Sequence, residues 1–115
     1  DTTRWPGSLG GDIEYVDAAC NVAGTNDGLY RGKQYYRGNP FATYYSHTLT
    51  PNDKRRDCIR ATGLDRLHGA VRSFHTGGAH IVLGDGAVRF GSGSVDQMVW
   101  RAVGSIGQGD MVGEF

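Results

Sequence analysis

Two side chains with the chemistry of a catalytic pair, His75 and Asp85, stand with nine residues between them. An imidazole beside a carboxylate can act as a general base or help to hold a metal ion. In a meander of strands, the strand between them would separate them by roughly 14 Å at 3.4 Å per residue. That distance exceeds hydrogen-bond reach, so we expect structural roles: Asp85 with Gly86 in a turn, and His75 fixing the bend after its strand through a backbone hydrogen bond.

A serine hydrolase is the second chemistry that the residue types allow. Ser46 or Ser73 would be the nucleophile, and the base would come from one of the four histidines, His47, His68, His75 or His80. No G-x-S-x-G elbow or comparable frame surrounds either serine. We therefore predict that the chain is not an enzyme and that it has no catalytic residues.

An oxygen-rich turn at Asn26-Asp27-Gly28 raises the question of calcium. Together with Asp12, Glu14 or Asp17 it would supply oxygen ligands. The spacing differs from that of an EF-hand loop, which also requires a glutamate at its twelfth position. We predict a solvated turn and no metal or other cofactor, with Asn26 and Asp27 as the calcium candidates.

Tyrosines are concentrated between positions 30 and 45, where basic side chains alternate with them. Tyrosine and arginine favour interfaces, so the segment is a candidate subunit-contact surface, and its rings could also stack on sugars. The alternative is that the rings pack over the sheet in place of aliphatic residues, and the sequence leaves both open. The candidate interface residues are Tyr30, Tyr35, Tyr36, Tyr44 and Tyr45 with Arg31 and Arg37.

The two cysteines, Cys20 and Cys58, belong to no metal-binding cluster. An even count in a small glycine-rich domain fits one disulfide formed in an oxidising compartment. Closing the loop of 38 residues between the two cysteines would stabilise the fold by about 4 kcal/mol on the chain-entropy account. The alternative is a pair of unrelated buried thiols.

Composition excludes several classes of protein. Twelve basic and 12 acidic side chains cancel over 115 residues, which disfavours nucleic acid as the main partner. No apolar run approaches roughly 18 residues, the length that indicates a membrane span. The first residues have neither the basic start nor the apolar core of a signal peptide, and no initiator methionine precedes them. We expect a processed product or an excised domain.

The elements that must position these residues are clearest after residue 65. Residues 69–75 resemble a strand, and Asp85-Gly86 between two apolar runs predicts a type I′ hairpin over 80–90. That turn would pair Leu83 with Val88 and Ile81 with Phe90 on one face.

A short helix is predicted over 94–104. Ser94 and Gln97 form a capping box, an apolar stripe follows, and Gly104 stops the helix. The fold class is α+β: a small twisted antiparallel sheet with the hairpin and one C-terminal helix after a long irregular N-terminal half. We expect a single domain, 1–115, with a loop-rich part (1–65) and a hairpin-helix part (66–115).

The C-terminal pattern resembles that of prepilin-like bacterial proteins with a His–nine residues–Asp-Gly signature. Thr48-Leu49-Thr50-Pro51-Asn52 and Cys58 are similar to the "L-P-P-N … C" segment of these proteins. The matching stretches are Ser73-Phe74-His75-Thr76-Gly77-Gly78, Gly84-Asp85-Gly86-Ala87-Val88-Arg89-Phe90, Val95-Asp96, Val99-Trp100-Arg101-Ala102-Val103-Gly104, Gly109-Asp110 and Gly113-Glu114.

The resemblance implies the globular headpiece of a type IV pilin or type II secretion pseudopilin, at the cell surface or outside the cell after processing. Its partners would be copies of itself, a short hydrophobic prepilin-helix chain, or both. The long hydrophobic helix of such proteins is absent from this sequence, so it is expected to have been removed or to come from a partner chain. The alternative function is a secreted, monomeric binding module for a glycan or calcium.

Overall fold

The computed structural model of the chain describes residues 2–5 by their backbone, together with residues 14–20, 32–40, 42–60 and 66–105. Contacts gather these residues into two compact units. Unit 1 contains residues 1–46 and 55–69, and unit 2 contains residues 47–54 and 70–115. The predicted single domain, with a loop-rich part (1–65) and a hairpin-helix part (66–115), stays a prediction.

Short strands and two short helices make up the regular structure of the described residues, which confirms the α+β class. In chain order the elements are β1 (Thr2–Trp5), α1 (Asp17–Cys20), β2 (Asp57–Arg60), β3 (Leu67–His68), β4 (Gly78–Val82), β5 (Val88–Ser92) and α2 (Gln97–Val103). Residues 69–75, predicted as a strand, have no regular structure apart from bends. The strand at this place is β3, which ends at His68.

Unit 1 contains a three-stranded sheet in the order β1-β2-β3. β1 runs parallel to β2, with Thr2 opposite Asp57 and Trp5 opposite Arg60, and β2 pairs with β3 antiparallel. The sequence predicted an irregular N-terminal half and an antiparallel sheet, so β1 and its parallel pairing are corrections. These strands are too short to show a clear alternation of apolar and polar residues, and their partners lie far along the chain, so local sequence patterns do not predict them.

The predicted disulfide between Cys20 and Cys58 is confirmed. α1 brings Cys20 to β2, where the two Cα atoms lie 5.3 Å apart and both side chains are fully buried. Tyr15 packs against this pair, and its hydroxyl donates a hydrogen bond to the Arg56 carbonyl oxygen at 2.8 Å. The ring of Tyr15 also meets His68 edge-on, with the centroids 5.8 Å apart. The disulfide therefore joins the helix of unit 1 to its central strand.

The hairpin lies where it was predicted, but its register is shifted by one residue. Val82 pairs with Val88 and His80 with Phe90, rather than the predicted Leu83 with Val88 and Ile81 with Phe90. The physical reason is the turn, because the only left-handed residue at its tip is Gly86, at φ 88°.

Backbone hydrogen bonds define that turn as type I followed by a bulge. The Gly86 N–H donates to the Leu83 carbonyl oxygen at 2.9 Å, and the Leu83 N–H donates to Ala87 at 2.8 Å. A type I turn that ends in a left-handed glycine makes a three-residue loop, whereas type I′ needs positive φ at both central residues. Asp85 is therefore a side-chain acceptor in the turn, and its Oδ1 atom receives the Ala87 N–H.

The one-residue shift decides which side chains the hairpin buries. Ala79 and Ile81 share the buried face with Gly91. A Cβ atom on Gly78 would lie 2.0 Å from the Gly91 carbonyl oxygen, so the two strands can approach this closely only with glycine at that position. The opposite face carries Val82 and Val88 and is exposed.

The helix α2 begins later than predicted. Asp96, not Ser94, is the N-cap: its Oδ1 atom accepts the N–H groups of Met98 and Val99. Gln97 is the first helical residue, and its amide donates to the Thr48 carbonyl oxygen at 2.7 Å rather than back to a cap. The carboxylate of Asp96, two residues further on, caps the helix in place of the serine because it accepts two N–H groups at once. Gly104 ends the helix, as predicted.

Trp100 of α2 is the largest fully buried side chain of unit 2. His47 stacks on it with the ring centroids 4.3 Å apart, and the His47 Nδ1 atom donates to the Trp100 carbonyl oxygen at 2.9 Å. A Cβ atom on Gly104 would meet the imidazole of His47 at 2.6 Å. His47 is therefore enclosed between the indole and the end of the helix.

This packing gives unit 2 a pH-dependent stability. Burial lowers the pKa of His47, although its hydrogen bond to the Trp100 carbonyl opposes that shift. The unfolded chain then binds the proton more tightly than the folded one, so stability is complete above the ordinary histidine pKa of about 6.5 and falls as the pH drops below it. We expect urea denaturation from about pH 8 to about pH 5 to show this loss, and a His47→Gln variant to show a shallower slope. Equal slopes would contradict the assignment.

Candidate functional site

The most exposed aromatic surface in the described part of unit 1 belongs to a closed loop, residues 32–40 and 42–45, here called the tyrosine loop. The Gly32 N–H donates to the Ala42 carbonyl oxygen at 2.8 Å, which brings the two ends together. Between them, the Arg37 N–H donates to the Gln34 carbonyl oxygen at 3.0 Å and closes a turn whose central residues are Tyr35 and Tyr36. Because they occupy the corners of a turn, both rings project outward.

The two rings at the turn are among the most exposed hydrophobic side chains of the described residues. Tyr35 is 87% exposed and Tyr36 is 70% exposed. They meet edge to face, with centroids 5.8 Å apart and an angle of 84° between the ring planes. Such a pair forms a corner of two perpendicular aromatic surfaces, a geometry that aromatic pairs prefer.

The loop is fixed by its own hydrogen bonds. The Asn39 carbonyl oxygen accepts the N–H groups of Ala42, Thr43 and Tyr44, while the Asn39 side chain accepts the Ala42 N–H at 3.0 Å. The Thr43 hydroxyl donates to the Arg37 carbonyl oxygen at 2.7 Å. The turn that carries the two tyrosines is therefore tied to the second half of the loop.

Tyr44 and Tyr45 are also partly accessible on this loop. The Tyr44 hydroxyl lies over Gly38, 3.2 Å from where a Cβ atom would be. Tyr45 is less exposed, and burial raises the pKa of its hydroxyl. Tyr30 and Arg31 lie outside the described residues, so the structure brings together four of the five predicted tyrosines and Arg37.

Basic charge accompanies the exposed rings. Lys33 and Arg37 are both exposed, and neither forms an ion pair with a described residue. The sequence has no acidic residue between Asp27 and Asp53, so the segment is basic although the whole chain has no net charge. The loop therefore combines two exposed aromatic rings with two exposed cations that form no ion pair with a described residue.

The side chain of Asn52 ties together three backbone groups of unit 2, a role that no pattern in the sequence predicted. Its side-chain amide donates to the carbonyl oxygens of His75 and Gly78, each at 3.0 Å, and its Oδ1 atom accepts the Ser73 N–H at 2.7 Å. Its backbone is left-handed, with φ 56°. The turn residues around Pro51 are the sequence signal that could have indicated this role, because asparagine in a turn tolerates a left-handed backbone.

His75 and Asp85 do not meet. His75 is exposed; its N–H donates to the Ser73 hydroxyl at 3.0 Å, and its carbonyl oxygen receives the Asn52 amide. Asp85 binds the Ala87 N–H within its own turn. The backbone of His75, rather than its imidazole, makes the hydrogen bonds that hold this bend, and its predicted structural role is otherwise untested.

A second exposed surface lies on the outward side of the hairpin, here called the hairpin outer face: His80, Val82, Val88 and Phe90. Val82 is 70% exposed and Val88 is 63% exposed. His80 and Phe90 meet edge to face, with centroids 5.3 Å apart. Apolar residues thus occupy both sides of this hairpin, a pattern typical of strands that are covered on both faces.

Unit 2 also has an open cleft of about 500 Å³ next to the Asn52 bend. The Arg72 guanidinium donates to the Asp53 carbonyl oxygen there, and the Phe74 ring is fully exposed. The lining residues are Asn52, Asp53, Lys54, Arg72, Ser73 and Phe74.

A known protein family matches most of the chain. A family model described as "Protein of unknown function (DUF1559)" covers residues 11–98. The chain belongs to the DUF1559 family. No curated protein and no solved structure matches it.

The DUF1559 match contains the disulfide, the tyrosine loop, Asn52 and the whole hairpin, and it ends just inside α2. The calcium candidates Asn26 and Asp27 fall within the match but outside the described residues. Among the side chains that the structure describes, no group of three or more His, Cys, Asp or Glu residues is arranged to hold a metal ion. Within the same part of the chain, no helix is both long and apolar enough to cross a membrane.

Proposed function

We propose that this chain is the extracellular globular part of a subunit in a pilin-like surface filament, with a structural rather than an enzymatic role. The observation that carries the proposal is the family match over residues 11–98, since this family is associated with prepilin-like and pseudopilin proteins. The resemblance to the His–nine residues–Asp-Gly signature supports the same function.

The contacts of the signature residues fit a scaffold. Asn52 binds three backbone groups, Asp96 caps a helix, and Gly78 lets two strands approach. Each of these contacts fixes the main chain. A motif of this kind specifies a shape, which is what a subunit that packs against its neighbours requires.

The hairpin outer face is a suitable contact between subunits. Soluble monomers rarely expose adjoining apolar side chains on an open sheet, because such surfaces associate. A chain with no net charge also lacks the long-range repulsion that would keep identical copies apart. A neighbouring subunit that covers Val82, Val88 and Phe90 would remove this surface from water.

Immunogold electron microscopy of the native cell surface tests the proposal. Antibodies against this chain should label filaments at regular intervals, and mass spectrometry of sheared filaments should find it. A Val82→Lys/Val88→Lys variant should remain folded and lose incorporation, because its charges lie on the hairpin outer face. The matched control Lys54→Glu changes an exposed charge elsewhere and should assemble normally. Unlabelled filaments, with the chain monomeric in the medium, would overturn the proposal.

A further inference from the structure

The tyrosine loop presents its aromatic rings in a fixed arrangement. The Gly32–Ala42 hydrogen bond, the Gln34–Arg37 turn and the Asn39 bonds hold the backbone on both sides of Tyr35 and Tyr36. A ligand that binds these rings would therefore lose little free energy to ordering the loop. Tyr35 and Tyr36 lie mostly in water, so most of their ring surface is available to a ligand.

The charges beside the rings favour an anionic ligand. Lys33 precedes the turn and Arg37 closes it, both are exposed, and neither has an ion-pair partner among the described residues. Guanidinium groups bind carboxylates through paired hydrogen bonds, and lysine binds them as a point charge. Aromatic faces in turn attract flat surfaces that carry C–H groups, such as the faces of sugar rings.

We propose that the tyrosine loop is a binding site for an acidic polysaccharide, in which Tyr35 and Tyr36 stack on sugar rings while Lys33 and Arg37 bind the carboxylates. A uronic acid polymer offers both features in one repeating unit: an apolar ring face and a regularly spaced negative charge. The proposal stands independently of filament assembly, because the loop and its contacts lie within a single chain.

Two other classes of anionic partner fit less well. A nucleic acid binder normally carries a net positive charge, whereas the acidic and basic residues of this chain balance. A stable protein partner buries about 800 Å² on each side around an apolar centre. The turn offers two rings and two cations, which suits a narrow polymer better than a broad protein surface.

Titration of the full chain with polygalacturonate fragments, followed by calorimetry at low salt, is the direct test. Fully methyl-esterified fragments have the same backbone without the charges, so they are the matched ligand control. We expect binding to the acidic fragments, at least about tenfold weaker binding to the ester, and loss of affinity as salt screens the charges.

Paired variants separate the contributions of the rings and the cations. Tyr35→Ala/Tyr36→Ala and Lys33→Gln/Arg37→Gln should each weaken binding by about tenfold or more. Tyr35→Phe/Tyr36→Phe keeps the aromatic faces and should bind within about threefold of the original chain. The control Lys54→Gln/Phe74→Ala removes a cation and an exposed ring from unit 2 and should leave the affinity unchanged. Circular dichroism checks that every variant folds.

Three results would each overturn the proposal. The first is an absence of binding to polygalacturonate at low salt. The second is binding that survives Tyr35→Ala/Tyr36→Ala, since the rings would then have no part in it. The third is equal binding of polyglutamate or DNA, which would assign the loop to an acidic polypeptide or to a nucleic acid. Because the titration uses the isolated chain, its failure leaves the filament experiment unaffected, and the reverse also holds.

Discussion

Replacing Cys20 and Cys58 together with alanine is expected to lower the free energy of unfolding of unit 1 by about 4 kcal/mol. The disulfide closes a sequence separation of 38 residues, so the unfolded chain loses much of its freedom while the bond is present. It also joins α1 to β2, the strand that both other strands of the sheet contact. Such a loss is a large fraction of the total stability of a small domain.

Urea denaturation followed by far-ultraviolet circular dichroism measures this effect. Reduction of the original chain should reproduce the midpoint of the Cys20→Ala/Cys58→Ala variant, and the reductant should not change the variant itself. If the double variant unfolds at the same urea concentration as the original chain, the disulfide does not stabilise unit 1 and this expectation is wrong. A single Cys20→Ala variant is a poor substitute, because it leaves a reactive thiol at Cys58.

Replacing Asn52 with alanine is expected to lower the free energy of unfolding of unit 2 by about 4 kcal/mol, of which three side-chain hydrogen bonds contribute about 1 kcal/mol each. Its left-handed backbone adds a further penalty for alanine of about 1 kcal/mol. The carbonyl oxygens of His75 and Gly78 would lose their donor, and the Ser73 N–H its acceptor. The bend between β3 and β4 would then keep the Ser73 hydroxyl bond to the His75 N–H but lose the side chain that holds three of its backbone groups.

Two further variants at this position separate the causes. Asn52→Gly tolerates the left-handed backbone but lacks the side-chain hydrogen bonds. The difference in the free energy of unfolding between Asn52→Gly and Asn52→Ala therefore measures the conformational cost. Asn52→Asp keeps the acceptor for Ser73 and loses both donors. The fluorescence of Trp100 in a Trp5→Phe background, where it is the only tryptophan, follows the unfolding of unit 2. A loss below about 1 kcal/mol for Asn52→Ala would show that these bonds are replaced by water.

Local patterns in the sequence predicted the parts of the fold that depend on neighbouring residues. Asp85-Gly86 indicated the hairpin, and the apolar stripe after Ser94 indicated α2. Both elements are present, but their predicted boundaries are wrong by one to three residues. The turn has one left-handed residue rather than two, and Asp96 rather than Ser94 caps the helix. Boundaries of this kind depend on which of two nearby groups satisfies more backbone N–H donors.

Pairings between distant residues could not be predicted in the same way. β1 and β2 are four residues each, and the partners Thr2 and Asp57 are far apart in the chain. The role of Asn52 depends on three backbone groups that lie more than 20 residues further along the chain. No local sequence pattern predicts contacts of this kind. The tyrosine loop was recognised from composition, while its outward orientation follows from the Gln34–Arg37 turn.

The parallel pairing of β1 with β2 has a consequence for how the chain acquires its fold. β1 cannot pair with β2 until Arg60 has been synthesised, so Thr2–Trp5 have no partner strand while the residues between them are being made. Contacts of such high sequence separation slow folding, because the intervening loop must close before any pairing is gained. Unit 1 therefore has a high contact order, and its sheet is expected to form after the locally closed hairpin of unit 2.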